Sequence, residues 1–244
     1  MENLVLKMKT ELEDMFEDLC GNLLKDNPDL HEICDRYHQS VHVTFQIIND
    51  ADFMREEYAR IKEICEEFDD SSRLQETIVN MVEEYVAIGP RTPMMAICSW
   101  YSCTLNDDPE KREIIKLNTP LVIYASIDCL YRQAFLNPGR LDDVMRFAKL
   151  SLRHEIGHIK DYLRYVGMDV KEWNEREERD EKKKKEVYKK IDEYQHKMLP
   201  QNDIGYACNM MYYNEIPIEK RANEEAGFTP EELELLYNQC NLNC

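Results

Sequence analysis

His154-Glu155-Ile156-Gly157-His158 places two imidazoles at i and i+4. On an α-helix that spacing puts both on one face, one turn apart, where they can grip a single metal ion. Glu155 then projects beside them without having to be a ligand. It is placed to take a proton from a metal-bound water, the arrangement of metal-assisted hydrolysis. The same pattern also arises by chance, as two surface histidines on an ordinary helix. The surrounding residues decide between these readings.

They favour a long amphipathic helix. Leu141, Val144, Met145, Ala148, Leu152, Ile156, Ile159, Leu163 and Val166 recur mostly at steps of three or four, the helical period. Asn137-Pro138-Gly139 is a turn signal before it, and Gly167 stands where a helix stops. A catalytic zinc usually has three protein ligands and a water, so a third ligand is needed. Glu219 to Ala226 read as a short helix, with Pro217 at its start and Gly227 after it. Glu219 and Asn223 share a face, so Glu219 can bind metal while Asn223 supports a neighbouring ligand. Glu215, Glu224, Asp161 and His196 are rivals for the third position. Glu224 points about 140° away from Glu219, and Asp161 has a short side chain that would reach back along its helix. A solvated surface carboxylate is the plain alternative for Glu219.

H-E-x-x-H followed by E-x-x-A-N-x-x-A, with Ala222 and Ala226 completing the second motif, resembles the zincin metallopeptidases of the ImmA/IrrE type. Related phage and mobile-element peptidases share the pattern. The resemblance covers about 140–166 and 215–227. It implies zinc held by His154, His158 and Glu219, with Glu155 as general base. His158 and Glu219 lie 61 positions apart, a long gap for this group, and a charged insertion fills much of it.

Composition narrows the function classes. A net charge of -18 argues against a broad nucleic-acid surface, because phosphate contacts need clustered Lys and Arg. A partner or substrate with a basic region is mildly favoured. There is no apolar run long enough for a membrane span. The start of the chain lacks the basic and apolar segments of a signal peptide. Nine cysteines, an odd number without a C-x-x-C pair, read as free thiols in a reducing cytoplasm. Cys240 and Cys244 read as free thiols, with a second metal site or a disulfide as alternatives.

Few glycines and many helix formers predict a mainly α protein; with a small β-sheet it is α+β, and the resemblance implies a zincin-type fold. Residues 1–88 read as a helical region of four helices, at about 2–25, 28–49, 51–68 and 72–88, the last capped by Ser72 and Gln75. Its own i,i+4 pair, His38 and His42, has no following Glu and no third ligand in view, and reads as an ordinary pair. Residues 89–244 read as the zincin-like domain. Within it, 94–118 predict a β-hairpin, either a substrate platform beside the metal helix or simply core. Thr119-Pro120 start a helix to about 136. The charged insertion 169–199 reads as a solvated helix or helical hairpin. Its position between the metal motifs allows a lid; a passive protrusion is the plainer reading. Thr229 and Glu232 form a capping box for a last helix.

The function expected is zinc-dependent hydrolysis of peptide bonds in a protein or peptide substrate. Tyr212 and Tyr213 are candidates to stabilise the oxyanion, against a plain role as core aromatics. The contrasting expectation is a non-enzymatic interaction protein whose zinc site is structural or vestigial.

Overall fold

The computed structural model describes residues 2–36, 41–67, 94–97, 121–136, 138–197 and 215–237. In chain order these form α1 (Glu2–Gly21), α2 (Leu23–Asp26), α3 (Pro28–Arg36), β1 (Val43–Ile48) and α4 (Asp50–Glu67). Then come β2 (Met94–Ile97), β3 (Leu121–Ser126), α5 (Ile127–Leu136) and α6 (Leu141–Gly167). The described chain ends with α7 (Val170–Lys197), α8 (Pro217–Glu225) and α9 (Pro230–Tyr237). The protein is mainly helical with a small sheet. No described helix is long and apolar enough to cross a membrane.

Two expectations are corrected. The helix predicted over 28–49 ends at Arg36, and Val43–Ile48 is a strand. The helix predicted from Thr119-Pro120 begins only at Ile127, because Leu121–Ser126 is also a strand. Both segments are rich in β-branched and aromatic residues, and each finds the other: β1 runs parallel to β3, from Val43 opposite Leu121 to Ile48 opposite Ser126. On the other side β2 pairs antiparallel with β3, giving the order β1-β3-β2. The rest of the predicted hairpin, the helix at 72–88 and His38 lie outside the described residues.

Helix starts are written in side chains. The Asp52 amide donates to Asn49 Oδ1 at 2.9 Å, and the Cys129 amide donates to buried Ser126 Oγ at 2.9 Å. Asp169 and Glu172 cap α7 reciprocally, amide to carboxylate, at 2.8 and 3.2 Å. For α9 the Thr229 amide donates to the Glu232 carboxylate at 2.9 Å and the Glu232 amide to the Thr229 hydroxyl at 3.2 Å, as the capping box predicts.

α6 is the axis of the molecule. Val144, Ala148, Leu152, Ile156, Ile159 and Leu163 sink into one cluster with Met8, Leu12, Leu30, Leu121 and Ile123. Leu152 and Ile159 are completely buried, each contributing roughly 1.5–3 kcal/mol by leaving water. That burial fixes the rotation of α6. His154 lies about 200° around the helix from Leu152, on the side away from the main core. On that far side Phe147 and Leu150 pack against Leu236 of α9, and α8 lies against the histidines.

Candidate metal centre

α8 is short, and what it buries decides the site. Pro217 opens it with a fixed backbone angle, and Glu219, Ala222 and Asn223 form its buried face. Ala222 meets α6 at Gly157. A Cβ on Gly157 would stand 2.1 Å from the Ala222 carbonyl oxygen, so the two backbones touch only because Gly157 has no side chain. Gly157 sits between His154 and His158, and Ala222 sits one turn beyond Glu219. The contact therefore sets the carboxylate over the imidazoles. At its far end α8 turns through Gly227, whose φ of 65° is the left-handed conformation that glycine adopts without strain. Arg153 secures that turn, donating to the Ala226 carbonyl at 2.8 Å and pairing with Glu232 at 2.6 Å.

Three donors converge. Glu219 Oε2 lies 3.0 Å from His154 Nε2 and 3.2 Å from His158 Nε2, and the two Nε2 atoms are 3.1 Å apart. The rings stand nearly perpendicular, at 81°. Among the described residues these three side chains form a group able to hold a metal ion. Donors about 2.0–2.2 Å from a tetrahedral zinc lie roughly 3.3–3.5 Å from one another, so a small ion fits with slight spreading. His154 Nδ1 is held by Asn223 Oδ1 at 2.8 Å. An Nδ1–H donated there leaves the Nε2 lone pair facing the other two donors, the tautomer a metal requires.

Electrostatics describe the same cluster. Burial works against a charge on His154. The hydrogen bond to Glu219, the charges of Glu155 and Glu219 and the bond to Asn223 outweigh it and raise its pKa from 6.5 to about 9. Burial likewise opposes ionisation of Glu219. The His158 charge and both imidazole hydrogen bonds win, and hold its carboxyl far below the usual carboxylate range. Without a cation the site is thus an anion sharing an imidazolium proton. A divalent ion held by these donors would take the place of that proton.

Glu155 is half-buried on the same helix, close enough for its charge to act on His154, and outside the three-donor group. The rival carboxylates are engaged elsewhere. Glu215 pairs with Lys190 at 2.6 Å and Lys183 at 3.3 Å. Glu224 is exposed beside Lys220 at 3.7 Å. Asp161 is buried between Arg176 and Arg221. Tyr212, Tyr213, Cys240 and Cys244 lie outside the described residues, as does the His196 side chain.

Gly157 and Arg153 are site-building residues that the sequence reading passed over. A glycine within a helix costs about 1 kcal/mol relative to alanine, and that cost was the available signal for Gly157. Arg153 carried none, since its partners lie 73 to 79 residues away.

The Asn223 contact carries a prediction. Asn223→Ala leaves all three donors in place but frees the His154 ring, so metal affinity should fall about 10- to 100-fold. Chelator competition reads this directly, and an affinity equal to the parent's would remove Asn223 from the site. Comparison of the chain with protein-family models, curated proteins and solved structures finds no match.

Proposed function

We propose that this chain is a zinc-dependent peptidase of zincin type, acting on a protein or peptide substrate in the cytoplasm. The observation that carries the reading is the convergence of His154, His158 and Glu219 from two helices, with Glu155 next to His154 on the same helix. Two imidazoles and one carboxylate suit zinc. A structural zinc site usually closes with four protein ligands. Zinc held by three protein donors would keep a position for water, as catalytic sites do.

When bound, the metal would act as a Lewis acid that acidifies water and polarises a carbonyl. The chain's own residues supply the rest. Asn223 keeps the His154 ring in one tautomer and one orientation. Glu155 takes the proton from the attacking water and returns it to the departing amine, one carboxylate serving as base and then acid. Tyr212 and Tyr213 remain the proposed donors to the oxyanion.

Metal analysis tests the centre. The purified protein should carry about one zinc per chain. His154→Ala and Glu219→Ala should each lose it while remaining helical. Full zinc retention by Glu219→Ala would assign the third ligand to another residue.

A further inference from the structure

Behind the three donors lies a second, fully charged cluster that the proposed chemistry does not use. Asp161 stands three residues after His158 on α6, and Arg221 stands two after Glu219 on α8. Arg221 Nε reaches both oxygens of Asp161, each at 3.1 Å. Arg176 of α7 reaches the same carboxylate through Nη2 at 2.7 Å. Asp180, one turn further along α7, accepts from Arg221 Nη1 at 2.8 Å and lies 3.7 Å from Arg176 Nε. The Asp161 and Arg176 side chains are each only 7% exposed.

Two arginines and two aspartates cancel in charge, so the cluster does not alter the field at the donors through any net charge. Burying such pairs often adds little stability over a well-packed apolar contact. Shared arginine forks do supply direction. α8 has nine residues, too few to keep an orientation unaided. It is held against α6 at Ala222–Gly157, at Arg221–Asp161 and at Glu225, which accepts from Arg164 Nε at 2.6 Å. α7 braces the middle point from the other side. Glu215, just ahead of α8, is tied to the same α7 through Lys183 and Lys190.

We propose that Asp161 and Arg221, locked by Arg176 and Asp180, are positioning residues that set Glu219 over the histidine pair. The charged insertion is then a fixed bracket of the metal centre. The proposal rests on the metal-site reading above.

The test uses the full chain, zinc affinity by chelator competition, and the visible absorption of the cobalt(II)-substituted site, which reports ligand geometry. Arg221→Gln should stay helical, weaken zinc roughly three- to thirtyfold, and lower or shift the cobalt bands. Arg221→Lys should restore part of both. Asp180→Asn, at a more open position, should move both readouts less, in the same direction. A folded Arg221→Gln with parental zinc affinity and cobalt spectrum would overturn the proposal. Should Arg221→Gln not fold, Asp180→Asn decides, and parental values there overturn it equally. A parent chain that takes up neither metal would overturn the metal-site reading itself.

Discussion

Glu155→Gln should yield a protein that folds, holds its zinc and has lost hydrolysis by roughly two to four orders of magnitude, the scale of general acid–base catalysis. The glutamine keeps the size of the side chain and much of its hydrogen-bonding shape. It cannot accept a proton from water. The donors at His154, His158 and Glu219 already converge within 3.2 Å of one another, so a metal held there would not need Glu155. Zinc content and peptide turnover must therefore separate in this variant. Cleavage at the parental rate would mean that another group is the base. Loss of zinc would mean that Glu155 is itself a ligand and that the helix reading of this motif is wrong.

Gly157→Ala should damage the same centre without touching a single donor. One methyl group has nowhere to go: the obstacle is the Ala222 carbonyl at 2.1 Å, backbone that no rotamer change can move aside. α8 must shift outward, and Glu219, one turn away, shifts with it. Overpacking of this kind costs about 1–3 kcal/mol and sometimes more. For a chain of this size that lowers the melting temperature by roughly 3–10 °C. Zinc affinity should fall at least about tenfold, since outer contacts of a metal site carry effects of that scale. Calorimetry with and without chelator separates the two: the variant should gain less stability from zinc than the parent does. Parental stability and affinity would show that the helices do not touch at this point.

What the sequence made readable follows from the range of the forces involved. α6, α8 and α9 are set by local devices: a 3.6-residue apolar stripe, Pro217, Gly227, and Thr229 with Glu232. The donor pair was readable for the same reason, because i,i+4 is a local relation. Asn223 was readable from its place one turn beyond Glu219. β1 and β3 were not. Residues 43–48 and 121–126 are short apolar runs, and partners about 78 positions away in the sequence decide that they are strands. The Gly157–Ala222 contact and the Asp161–Arg221 pair are equally remote in sequence. Asp161 shows the limit well. Read along the chain it competes for the metal; in three dimensions Arg176 and Arg221 occupy it. The insertion 170–197 was recognisable as a charged helix from its i,i+4 pairs, yet nothing local marked Arg176 and Asp180 as side chains that reach Asp161 and Arg221.

The parallel pairing has a consequence for how the protein is made. Met8, Leu12 and Leu30 share one cluster with Leu121, Ile123, Leu152 and Leu163. A ribosome releases the first group well before the second exists. At roughly 5–20 residues per second, the stretch from Leu12 to Leu163 takes on the order of 10–30 seconds to synthesise. Until α6 is made the apolar stripe of α1 lacks its full native cover, and until Ser126 is made β1 lacks the strand it pairs with. Helices form far faster than this, so the delay lies in waiting for distant chain. Nascent chains arrested ahead of α6 would present the apolar face of α1 uncovered, and chaperone binding to that face should fall once Leu163 has cleared the exit tunnel.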